Sequence, residues 1–233
     1  MQVVLIPGYL LDRRLWSPVI RRLGSSADVS VPDLRPFDSI DAMAEHVLQH
    51  APQRFVLAGL SMGGYVSLAI MRRAPERVQA LALLNTQAGV DQPTTLERRE
   101  KLRALVASGG LEQAKESLKP LMLAPEHLAL GQPARTELDA MYADCDADLF
   151  LRHQNALNCR RDNRDVLPTI SCPALVLGSR QDALTPPAMQ QAMAEVIPMA
   201  RLVILAECGH LSPLGRPDAV AETFATWLLG LEI

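Results

Sequence analysis

Gly59-Leu60-Ser61-Met62-Gly63 is the stretch whose reading decides the fold. Residues 54–58, Arg-Phe-Val-Leu-Ala, form a short apolar run of the kind a buried strand carries. Residues 64–73, Gly-Tyr-Val-Ser-Leu-Ala-Ile-Met-Arg-Arg, read as a helix. A serine between glycines at a sharp strand-to-helix turn is a nucleophile elbow. Its backbone is strained, and side chains at the flanking positions would strike neighbouring backbone, which is why glycine stands there. The helix start beneath the serine favours developing negative charge. The pentapeptide alone arises by chance in roughly one chain of this length in ten. The flanking strand and helix raise its weight.

Working outward, apolar runs at 3–6, 29–31, 54–58, 78–84, 174–177 and 201–205 alternate with helical patterns at 15–23, 40–50, 187–196 and 217–229. Short continuous apolar strands belong to parallel sheets covered on both faces. The alternation therefore predicts a doubly wound α/β fold. One segment breaks the pattern. Residues 90–170 hold helical patterning at 94–108, 111–122, 134–143 and 147–160, with no convincing strand. An ~80-residue structureless loop is improbable in a compact domain. The expected organisation is a core of 1–89 and 171–233 with a helical cap, 90–170, inserted over the carboxyl edge of the sheet. The cap carries 11 basic and 13 acidic residues, a balance that predicts near-neutral substrates and a cap that shapes specificity without supplying chemistry.

A serine needs a base, and neutral imidazole is the usual one. His210, in Glu207-Cys208-Gly209-His210-Leu211, follows the last strand at the sheet edge where the elbow emerges. Asp182, in Gly178-Ser179-Arg180-Gln181-Asp182, follows the strand before it and would fix the imidazole tautomer. Asn85, at the end of run 78–84, competes for that position but bears no charge. The order Ser61, Asp182, His210 is that of α/β-hydrolases and not of chymotrypsin or subtilisin. Two oxyanion donors are also needed. Met62 N–H supplies one, and the loop Pro7-Gly8-Tyr9-Leu10 the other. Pro7 has no N–H, so Tyr9 is the first candidate and Leu10 the second. His46 and His50 lie i, i+4 but lack a third ligand and read as a solvated helix face. His127 and His153 lie in the cap, where a histidine can touch substrate but most often covers surface.

Other classes recede. A net charge of −3 without long single-sign runs disfavours nucleic acid and anionic membranes. No apolar run reaches the ~18 residues of a membrane span. The N-terminus reads as a core strand, not a signal peptide. Cys145, Cys159, Cys172 and Cys208 show no metal spacing and read as free thiols, so the cytoplasm is the expected compartment. Oligomeric state leaves no mark.

The chain resembles the α/β-hydrolase superfamily over nearly its whole length. The anchors are Leu5-Ile6-Pro7-Gly8, Pro32-Asp33-Leu34, Gly59 to Gly64, Gly178 to Asp182 and Cys208-Gly209-His210-Leu211. Within it the chain looks like the small capped esterases and lactonases that include 3-oxoadipate enol-lactonases and pimeloyl-carrier-protein methyl esterases. The resemblance implies a reduced sheet of six parallel strands and no cofactor or metal. It implies Ser61 as nucleophile, His210 as general base and acid, Asp182 as its orienter, and Tyr9 and Met62 N–H as the oxyanion hole. A small or medium ester or lactone is the expected substrate, cleaved through an acyl-enzyme. A lyase or C–C bond hydrolase on the same scaffold is the alternative, followed by a binding module with a decayed site. Where the family has His-Gly before the oxyanion loop this chain has Pro7-Gly8, so a side chain that normally orders the loop is missing.

Overall fold

The computed structural model describes residues 1–231. β1 (Gln2–Ile6) leads through a 3-10 turn (Arg13–Trp16) into α1 (Ser17–Leu23), then β2 (Asp28–Ser30) and α2 (Ile40–His50). β3 (Phe55–Leu60), α3 (Met62–Arg73) and β4 (Val78–Leu84) follow. Helices alone fill the stretch before the next strand: α4 (Pro93–Ala107), α5 (Leu111–Met122), α6 (Pro125–Leu128), α7 (Pro133–Ala143) and α8 (Ala147–Asn158), with a 3-10 turn at Leu167–Thr169. The chain closes with β5 (Ala174–Ser179), α9 (Pro187–Val196), β6 (Ala200–Leu205), α10 (Ser212–Gly215) and α11 (Pro217–Leu229).

The six strands form one sheet in the order β2-β1-β3-β4-β5-β6, and every pairing is parallel. This is the six-stranded α/β architecture the apolar runs predict. All residues of β3 and β5 are buried, as strands covered on both faces must be. β2, at one edge, is three residues long, and β6, at the other, leaves Arg201 and Leu202 exposed and buries no residue fully. Short or polar edges discourage pairing with other chains.

The strand order also locates the site. From β1 the chain steps outward to β2; from β3 it steps the opposite way to β6. The reversal lies between β1 and β3, and ligands of open α/β sheets bind at such a crevice, beyond the carboxyl strand ends. The loop after β1 and the elbow after β3 both lie there.

The helical segment is tied to the core at both ends by one buried ion cluster. Arg160, just beyond α8, forks onto Asp91 at 2.7 and 2.8 Å and donates to Gly89 O at 3.1 Å. Arg99 of α4 shares the same carboxylate at 2.9 Å. The Arg160 guanidinium lies over the Tyr65 ring of α3, 4.3 Å from its centroid. Removing Asp91 would leave buried cations without a counter-charge, which is costly. The four cysteines are unpaired thiols. Among the described residues no helix is long and apolar enough to cross a membrane.

Candidate active site

Ser61 joins β3 to α3 with φ 55° and ψ −114°, a conformation that L-residues avoid. Such strain persists only where the surroundings over-determine it. Here Ser61 N–H donates to Leu84 O (3.0 Å), while its carbonyl accepts from Gly64 N–H (2.9 Å) and Thr86 Oγ1 (2.8 Å). The glycines are enforced by contact. A Cβ on Gly59 would overlap Gly63 O, one on Gly63 would overlap Ile6 O, and one on Gly64 would strike the Thr86 side chain.

His210 is buried in the loop beyond β6 and joins Asp182 through Nδ1, 3.0 and 2.9 Å from the two carboxylate oxygens. Two backbone bonds fix this loop. Gln181 N–H donates to Cys208 O (3.1 Å) and Leu211 N–H to Met122 O of α5 (3.0 Å). Asp182 is also buried and takes further donors: Leu184 N–H and Thr185 N–H at 2.9 Å, Thr185 Oγ1 at 2.7 Å and Asn85 Nδ2 at 2.9 Å. Burial pushes the carboxyl up, but His210 and the Thr185 donors outweigh it and bring its pKa down to about 2. Asp182 is therefore ionised and accepts Nδ1–H of the His210 ring. The other ring nitrogen, Nε2, is buried with no protein partner. His210 Nε2 and Ser61 belong to residues lining the same pocket.

In the loop after β1, Leu11 N–H donates to Gly8 O at 3.1 Å, and Leu10 takes a left-handed φ of 59°. Leu10 N–H, the second candidate donor, is occupied: it donates to Nδ1 of His153 at 3.2 Å. Tyr9 N–H has no acceptor among the described residues. Tyr9 is buried and lines the pocket, and its hydroxyl accepts from Gln154 Nε2 at 2.6 Å. Met62 opens α3, so its N–H is one of the orphan donors of a helix start.

Several residues here escaped sequence reasoning. Asn85 is not a spare acid position. Its Nδ2 holds Asp182 and Ser179, and its Oδ1 accepts from Ser212 at 2.7 Å. His153 is not surface cover but wholly buried, and the bond that uses it spans 143 residues of sequence, beyond any local signal. Of the helix pair, His50 is exposed, whereas His46 is half-buried with the Phe37 ring 4.7 Å from its own. The pocket also departs from the near-neutral expectation. Arg98 and Arg99 of α4 both line it, with Asp91, Gln87 and Gln154. Arg99 is paired with Asp91, whereas Arg98 has no acidic partner among the described residues. Burial and the neighbouring Arg99 lower the Arg98 pKa, and the Asp91 carboxylate offsets them only in part.

A model of the alpha/beta hydrolase family matches residues 3–223. An esterase structure from Thermogutta terrifontis, solved with malate bound, superimposes with a TM-score of 0.91 at 30% identity, covering 100% of this chain and 91% of that one. A pimeloyl-[acyl-carrier protein] methyl ester esterase from Nitrosomonas europaea is 26% identical over 251 residues, 95% of this chain and 93% of its own length. The enol-lactonase from Burkholderia xenovorans LB400 shares the fold, with a TM-score of 0.88, 24% identity, and coverage of 98% and 91%.

Proposed function

Since this chain belongs to the alpha/beta hydrolase family, we propose that it is a serine hydrolase that cleaves a small or medium carboxylic ester or lactone through an acyl-enzyme on Ser61. The observation that carries this reading is the buried, unpartnered Nε2 of His210, held by Asp182 through Nδ1, in the pocket that Ser61 lines. An unpaired buried acceptor beside a strained serine is what a general base looks like before substrate arrives. The esterases among its relatives support the same chemistry.

Ser61 Oγ bonds to the carbonyl carbon as its proton passes to His210 Nε2. The imidazolium so formed is stabilised by ionised Asp182. Negative charge develops on the carbonyl oxygen and is met by Tyr9 and Met62 N–H. The C–O bond to the alcohol breaks, and His210 returns the proton to the leaving oxygen. Water then attacks the acyl-enzyme with His210 again as base, releasing the acid and restoring Ser61. The helical segment 90–170 acts as the cap that shapes the pocket.

Arg98 narrows the substrate class. Its half-buried guanidinium forms no ion pair of its own among the described residues, because Asp91 is engaged by Arg99 and Arg160, so an anion in the pocket would find a free donor. We assign to this pocket an ester that carries a carboxylate or another anionic group beyond the scissile bond.

A fluorophosphonate probe tests the mechanism, because its adduct mimics the tetrahedral intermediate. Wild-type protein gains one adduct mapped to Ser61, and Ser61→Ala gains none. Ser61→Ala combined with His210→Ala costs little more kcat than the worse single change, since members of one unit are not additive. Folded wild-type protein without an adduct, or Ser61→Ala with one, refutes the reading.

A further inference from the structure

Tyr9 N–H is a useful oxyanion donor only if its peptide is held still, and the residue after it is strained. Leu10 has φ 59° without being glycine, a conformation that costs an L-residue free energy and reverts unless neighbours enforce it. Pro7-Gly8 supplies no side chain for that purpose. What enforces it comes from the far side of the pocket.

His153 of α8 is wholly buried between two backbone groups of the core. Its Nδ1 lies 3.2 Å from Leu10 N, and its Nε2 lies 3.3 Å from Leu34 O. A backbone N–H only donates and a carbonyl only accepts, so the tautomer is fixed: Nδ1 accepts and Nε2–H donates. The next residue, Gln154, donates to the Tyr9 hydroxyl, and the Phe150 ring meets the Tyr9 ring edge-on at 5.8 Å. One turn of α8 therefore grips Tyr9 and Leu10 at backbone and side chain. Asp146, whose carboxylate accepts from Leu149 N–H at 2.7 Å, caps the start of α8 and fixes its rotation.

We propose that His153 is a positioning residue for the oxyanion hole: by accepting the Leu10 N–H it sets the strained turn that aims Tyr9 N–H at the developing oxyanion. It also removes Leu10 N–H from competition for that oxygen. The proposal gives the helical segment a positioning role beside substrate choice, and it rests on the serine-hydrolase reading. Burial brings the His153 pKa down to about 4, so the ring stays neutral and Nδ1 stays an acceptor at neutral pH. Without that acceptor, the Leu10 peptide would turn to find another partner, and the strained turn would relax.

The test begins with wild-type protein, whose fluorophosphonate adduct on Ser61 and p-nitrophenyl ester turnover establish the underlying reading independently. His153→Leu removes both ring nitrogens. His153→Asn restores an acceptor near the place of Nδ1. The expected result is a fall in kcat of about 10²-fold for His153→Leu, the scale of one misaimed oxyanion donor, with KM changed less than about threefold. His153→Asn recovers at least tenfold of the lost kcat. Affinity for a trifluoromethyl ketone, whose hemiketal needs the same donors, falls in step with kcat/KM. Should His153→Leu not fold, His153→Phe, of closer volume, takes its place. In 15N-histidine spectra of the wild type, His153 must carry its proton on Nε2. Four results would overturn the proposal in a labelled, active wild type: a folded variant with undiminished kcat, a loss confined to KM, an Asn variant no better than Leu or Phe, or the opposite tautomer.

Discussion

Asn85 shows how much one neutral side chain sustains. It lies at the end of β4 with φ 44°, buried, and its amide faces both Asp182 and Ser212. An amide can donate and accept at once, and that is what this position needs. An aspartate of the same shape would set a second carboxylate 2.9 Å from the first, and two carboxylates so close share a proton. Asn85→Asp is therefore expected to lower kcat by at least tenfold at pH 7, because Asp182 would no longer hold His210 as a full anion. Asn85→Leu would instead leave the buried Ser212 hydroxyl without its acceptor and take one of three donors from Asp182 Oδ2, destabilising the fold by about 2 kcal/mol. Steady-state kinetics and urea titration separate the two outcomes. The sequence made the position visible, since Asn85 ends a clear apolar run, but absence of charge read as absence of role. The sequence drew attention to Ser61, Asp182 and His210 because each follows a strand at one sheet edge. Asn85, Thr185 and Thr86 were not, because their value lies in hydrogen bonds across the sheet that no spacing encodes.

At the scale of elements, α4 presents adjacent arginines with different fates. Arg99 turns to Asp91 and is neutralised; Arg98 faces the pocket unpaired. The balance of charge over residues 90–170 concealed this, since totals do not say which charges pair. Arg98→Gln is expected to raise KM for a monoester of a dicarboxylic acid by roughly tenfold or more, the worth of a charge-assisted hydrogen bond of about 1.5–3 kcal/mol. Turnover of the matching dialkyl ester, which has no anion to bind, should stay within twofold. Equal effects on both esters would remove Arg98 from substrate recognition. The elements themselves were largely legible, because apolar runs with helical or strand periodicity reflect which face is buried. The boundaries that moved did so for physical reasons. β5 continues through Gly178 to Ser179 because both pair with β6. α6 and α10 are four-residue turns begun by or near proline, too short for periodicity to register.

The whole molecule brings together two buried titrating groups from its two parts, and they act on stability in different pH windows. His153, in the helical segment, has a native pKa of about 4, below the ~6.5 of an unfolded histidine. As pH falls through 6.5 the unfolded chain takes up the proton while the native chain refuses it, so stability drops between about 6.5 and 4. One proton over that interval amounts to about 3 kcal/mol. Asp182, in the core, has a native pKa of about 2 against an unfolded ~3.9. Its contribution is intact above pH 4 and fades only between about 4 and 2. Asp33 and Arg152, the charged neighbours of His153, act on it in opposite senses and leave burial as the ruling cause. His46 shifts in the same direction, also by partial burial and beside His50, so the wild-type slope alone does not isolate His153. A comparison does. Urea unfolding at pH 7 and at pH 4.5 should show wild-type protein losing about 2–3 kcal/mol on acidification. His153→Phe, weaker at pH 7 for want of its two hydrogen bonds, should lose less than half as much across the same interval, because the residue that refused the proton is gone. If both proteins lose stability equally, His153 is not the buried neutral group that joins the helical segment to the oxyanion loop.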